Sequence, residues 1–160
     1  MSTSTTTSRT VQLPSAPVLI GTVYAVCVLG LLALFTGEIV FTDKDPYRSE
    51  GPVESMIAIA ILGTAALVIG VGLFLWLRRT PEQARVGTFV LAGLGVLTIV
   101  FFWSGAPGVF GACAAACAGL TRDGRPLTGA ARMAGIVGAF LALLNVLLTI
   151  GSVALDPFIG

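Results

Sequence analysis

Apolar residues fall along this chain in four long blocks set apart by short polar stretches. The first runs from Pro17 to about Phe41, the second from Met56 to Leu77, the third from Val86 to Leu120 and the fourth from Ala130 to Ala154. Roughly 20 apolar residues span the hydrocarbon of a bilayer, so each block is long enough to cross. The third is too long for one helix. Its 35 charge-free positions would make a rod of about 52 Å against a core of roughly 30 Å. The stretch WSGAPG, Trp103–Gly108, supplies the break with Ser, Gly, Pro and Gly. The pattern therefore predicts an all-α polytopic transmembrane bundle of five helices, the fourth short, at about 16–41, 55–78, 84–103, 107–120 and 130–154. Ser15 is placed to cap the first, and Pro17 is tolerated in its opening turn.

The polar stretches complete the outline. Residues 1–13, MSTSTTTSRTVQL, are Ser/Thr-rich without an apolar pattern and are expected to be a disordered tail preceding a single domain over 14–160. A signal peptide is the competing reading. The apolar stretch that follows is long enough to span and has no small-residue cleavage site after a short core. Thr42–Ser55 holds Asp43, Lys44, Asp45, Arg48, Glu50 and Glu54 among Pro46, Gly51 and Pro52, and reads as a loop. Its acids match no calcium-loop spacing, so it is expected to be a solvated connector or a docking surface. Trp76 beside Arg78 and Arg79 marks a membrane–water interface.

Charge orients the bundle. With five crossings and the N-terminus inside, seven basic residues (Arg9, Arg78, Arg79, Arg85, Arg122, Arg125, Arg132) lie inside and two (Lys44, Arg48) outside. Four crossings would split them four to five, so the positive-inside rule favours five. Composition agrees on the solvent: 56% of residues are hydrophobic, 11% charged, and the mean hydropathy is +0.97. Soluble domains carry about 25% charged residues. A net charge of +1 with no basic stripe argues against a nucleic-acid partner. The lipid bilayer is the expected surrounding, in a multi-pass protein.

Candidate chemistry is sparse. The chain has no histidine, the commonest general base and metal ligand. No Gly-rich phosphate loop, nucleophile elbow or pair of carboxylates at membrane depth is present, so an enzyme is not expected and no cofactor or metal is implied. Cys27, Cys113 and Cys117 all fall in apolar runs. Cys113 and Cys117 share a helix face at four-residue spacing. Two thiolates without His do not make a zinc site, and redox pairs sit on a two-residue spacer. Packing is the better account. Gly111, Ala115 and Gly119 form a small-residue stripe, Gly108, Ala112 and Ala116 another, and Ala130, Ala134, Gly138 and Ala142 a matching one on the last helix. In lipid, helices associate by close backbone approach over such residues.

Two polar positions stand out. Glu38, in FTGEIVF, is the one acid inside an apolar run, and intramembrane ionisable groups are functional candidates by default; its place near the end of helix 1 favours an interfacial role. Asn145, in LLNVLL, is deeper, where an amide either bonds across the bundle or lines a path, the former being commoner.

Over about residues 86–150, the series of apolar helix, Pro/Gly turn, short small-residue helix, Arg/Gly loop and Ala-Gly helix start is carried by Pro107, Gly111, Arg122, Gly124, Arg125, Gly129, Ala134 and Gly135. In this it resembles small Ala/Gly-rich actinobacterial integral membrane proteins of unknown function. It departs from them at Gly138, one position early, with Ala139 where the glycine is expected. The resemblance implies the architecture and a bacterial inner membrane, and no activity. The expected role is a non-enzymatic accessory or assembly component that packs against a membrane-protein partner or itself as a homo-oligomer. The alternative is a small transporter or channel subunit with Glu38, Asn145 and the Ser104–Pro107 break as the polar path.

Overall fold

The computed structural model describes the backbone of residues 13–41 and 52–159, and side chains over 13–36, 54 and 56–155. The Ser/Thr-rich tail through residue 12 and the acidic loop over 42–51 lie outside the described residues. Among the described residues five α-helices follow in order: α1 Ala16–Phe41, α2 Pro52–Leu77, α3 Pro81–Leu97, α4 Ala106–Cys117 and α5 Ala130–Ile159. A 3-10 segment, Thr98–Ser104, joins α3 to α4. Among the described residues, four spans are long and apolar enough to cross a membrane: Ala16–Thr36, Met56–Leu77, Pro81–Ser104 and Ala130–Leu155. The protein is a multi-pass membrane protein built as a helical bundle.

The helix starts and stops follow local chemistry. α3 begins three residues before the predicted start because Thr80 caps it: the Thr80 hydroxyl accepts from the Gln83 N–H at 3.2 Å, and Pro81 occupies the first turn. The predicted break lies where expected but starts earlier. The 3-10 segment loses helical geometry at Phe101 (φ −104°, ψ 38°), and Gly105 turns the chain at φ 75°. α4 ends on Gly119 at φ 69°. There the Gly119 N–H reaches the Ala116 carbonyl at 3.0 Å and the Leu120 N–H the Ala115 carbonyl at 3.1 Å, the paired bonds of a glycine-terminated helix.

α1, α2, α3 and α5 form a closed ring in which α1 touches α2, α2 touches α3, α3 touches α5 and α5 touches α1. α4 sits on the ring's axis and touches all four. Each of its twelve residues is buried. The ring is the reverse of a water-soluble core. Its spans bury only 22–28% of their residues, and large side chains such as Leu29, Ile61, Val68, Leu97 and Phe140 face outward. The interior is rich in Ala, Gly and Cys, with Phe74, Leu91, Val109 and Phe110 among its few large side chains. In lipid no hydrophobic force drives large apolar groups inward, and close backbone packing takes over.

Both ends of the ring are identifiable. The Leu13 N–H donates to the Leu120 carbonyl at 3.3 Å and the Arg122 N–H to the Leu13 carbonyl at 3.0 Å, tying the start of α1 to the end of α4. Cys117 packs beside Gly87, and Gly87 against Leu77, which brings the α2–α3 turn to the same end. Arg78, Arg79, Arg85, Arg122, Arg125 and Arg132 are therefore gathered, all exposed, at one end.

α4 does not reach the other end. Its twelve residues extend about 18 Å. It starts at Gly105, level with Cys27 of α1, while the preceding Ser104 carbonyl rests on Gly63 of α2. Those positions leave about 10–15 Å of hydrocarbon above it. The fourth helix is thus shorter than the predicted 107–120 and plugs one half of the ring.

Candidate functional site

A helix that begins in mid-membrane exposes N–H groups to a medium with no water to satisfy them. The start of α4 resolves this residue by residue. The Ala106 N–H donates to the Ser104 hydroxyl at 3.3 Å. Pro107 has no N–H to satisfy. The Gly108 N–H donates to the Oδ1 of Asn145 at 3.2 Å, and the Val109 N–H returns to the Gly105 carbonyl at 3.0 Å.

Asn145 completes the junction from α5. Its Nδ2 donates to the Phe102 carbonyl at 2.7 Å, and its Oδ1 also lies 3.6 Å from the Cys27 thiol, which donates to it. One amide, 2% exposed, thereby joins α1, the 3-10 segment, α4 and α5. Gly108 has to be glycine here, since a Cβ would fall on the Asn145 Oδ1 and 2.9 Å from Val23. Among the described residues no buried side-chain nitrogen or oxygen lacks a partner.

Lower on the axis, α4 crosses α5 backbone to backbone. A Cβ on Gly111 would strike the Gly138 carbonyl, and one on Gly138 would lie 2.7 Å from the Gly111 carbonyl. Ala115 and Ala142 are buried beside this crossing and Ala134 is partly buried. Two members of the predicted stripes fall elsewhere. Gly119 lies past the end of α4, where its bare Cα admits the Arg125 carbonyl. Ala130 is exposed at the first turn of α5. The buried face of α5 is instead Ala131, Gly135, Gly138, Ala142 and Asn145, with Leu141 buried beside it. Steps of four alone drift about 40° each around a helix of 3.6 residues per turn, whereas alternating threes and fours stay on one face.

The cysteines each fill a notch. Cys113 lies against Gly70 of α2, Cys117 against Gly87 of α3, and all three cysteines are free and buried. Among the described residues no group of three His, Cys, Asp or Glu converges. Glu38 is on the last turns of α1, with its side chain outside the described residues. Asp43, Lys44, Asp45, Arg48 and Glu50 also lie outside them. The structure does not bring Glu38 and Asn145 into one described site.

Sequence reading placed Ser104 in the break as a path residue and missed it as a cap, and it missed the Phe102 carbonyl. The signal was present in SGAPG: a hydroxyl two residues before a possible helix start, with proline in the first turn. Comparison with known proteins found no matching family model, no matching curated protein and no matching solved structure.

Proposed function

We propose that the chain is a non-enzymatic accessory or assembly component of a bacterial cell membrane, acting by packing against another membrane protein or a second copy of itself. The observation that carries this reading is the outer face of α2. A shallow groove there is lined by Ile57, Ala60, Ile61, Thr64, Ala65, Val68 and Ile69 of α2 alone, so small residues lie between larger exposed ones. Farther along, Gly72 has no atom within 4 Å of where a Cβ would be. Such a face lets a second helix approach closely in lipid. The arginine-rich end would face the cytoplasm under the positive-inside rule.

A transporter or channel subunit has less support. Asn145 would have to meet a solute, and its amide is engaged by Phe102, Gly108 and Cys27, while α4 fills the axis below it.

Disulfide or bis-maleimide cross-linking in native membranes tests the reading. The native cysteines are buried and contribute little background. Ala65→Cys is expected to give one discrete cross-linked species, to itself or to a partner, and Phe140→Cys on α5 is not. Absence of any adduct at Ala65 and at Gly72→Cys would overturn it.

A further inference from the structure

The half of the ring that α4 leaves unfilled holds a partly enclosed cavity of about 340 Å³ between α1, α2, the 3-10 segment and α5. Its volume falls within the range of ligand pockets, roughly 300–1,000 Å³. Every described wall lies in a membrane span: Leu34 on α1, Ile59 on α2, Trp103 at the bend and Ser152 on α5. In each span these residues lie toward the end away from the arginines.

The hydroxyl and thiol protons of the wall are spent on protein acceptors, which leaves the Trp103 indole N–H as its remaining donor. The Thr149 hydroxyl donates to the Asn145 carbonyl at 2.9 Å and the Ser152 hydroxyl to the Thr149 carbonyl at 2.9 Å. Cys27 donates to the Asn145 side chain. A buried water needs two to four polar partners, and an apolar cavity of about 150 Å³ already stays dry and takes up a hydrocarbon. A void more than twice that size forfeits the packing contacts of its whole lining. The molecule available at this depth is the hydrocarbon of the bilayer itself.

The dimensions fit one chain. From Cys27 to Phe35 the cavity wall rises eight residues along α1, about 12 Å, against about 15 Å for one leaflet of a 30 Å core. We propose that this cavity is a lipid site which holds the end of one acyl chain of a phospholipid from the leaflet away from the arginine-rich end, seated on the Asn145 junction. The site is independent of the α2 groove.

Tryptophan quenching tests this. The chain has two tryptophans, and only Trp103 lines the cavity, so Trp76→Phe isolates its emission. The full-length protein in detergent micelles is titrated with phosphatidylcholine brominated on one acyl chain. Trp103 quenching is expected to saturate near one lipid per protein, whereas Trp76, read in Trp103→Phe, follows the lipid mole fraction without a step. Ile59→Phe narrows the cavity and is expected to weaken the saturable step at least tenfold. Ser152→Leu is the second filling variant should the first fail to fold. Quenching of Trp103 that merely follows mole fraction, or a saturable step unmoved by a folded filling variant, would overturn the proposal.

Discussion

The two halves of the ring solve the same problem in opposite ways. Toward the arginines the axis is filled by α4, whose side chains are so small that backbones touch at Gly111 and Gly138. Toward the far end the axis holds the 3-10 bend, bulky Phe102 and Trp103, and open volume. The Asn145 junction separates them. The contrast shows what a short helix needs in order to end inside a membrane. Its lateral surface requires glycine and alanine in its neighbours, and its free N–H groups require a polar cap from another helix. Size of side chain decides the first half, and hydrogen-bond accounting decides the boundary.

Placing extra bulk in each half breaks the comparison most directly. Ala114 is 0% exposed on α4. Ala114→Leu overpacks it and is expected to lose about 3 kcal/mol, the upper end for added core volume, read as a collapse of the monodisperse peak in mild detergent. Ile59→Phe adds bulk to the open half and should change stability by less than about 1 kcal/mol. The boundary comes next. Asn145→Leu leaves the Phe102 carbonyl and the Gly108 N–H without their partner, expected to cost about 1–2 kcal/mol in reversible unfolding.

Smaller effects sharpen the picture. Replacing Cys113 and Cys117 together by Ala removes two sulfurs from glycine notches and no chemistry. The expected loss is about 1 kcal/mol, with cross-linking at Ala65→Cys unchanged. Gly72→Ala, in open space on α2, should lie within about 0.5 kcal/mol of the parent.

Much of this was legible in the chain itself. Four apolar blocks, the need to break the third and the small residues after the break are all local features, and they led to the helical bundle. The capping of α3 was also local, in Thr80 and Gln83, though the apolar pattern drew its start to residue 84 instead. What could not be read was which helix would be central. A twelve-residue segment with no large side chains other than Phe110 resembles a weak crossing until the glycines of α2, α3 and α5 that receive it are known. The register of α5 was illegible for a related reason. Small residues occur at 130, 131, 134, 135, 138 and 142, so both four-residue steps and the alternating set are available, and only the crossing with α4 selects one. Asn145 was visible as a deep amide, but two of its three partners, the Phe102 carbonyl and the Gly108 N–H, are backbone groups, which carry no signature in sequence.

The central claim is that α4 is the innermost element of the bundle. Hydrogen–deuterium exchange of the protein in nanodiscs tests it, because protection follows the free energy of opening. The amides of Ala106–Cys117 are expected to exchange as slowly as the midpoints of the four spanning helices. Exchange of that segment as fast as the polar loop over 121–129 would show a short helix lying at the edge of the bundle, and would contradict the account.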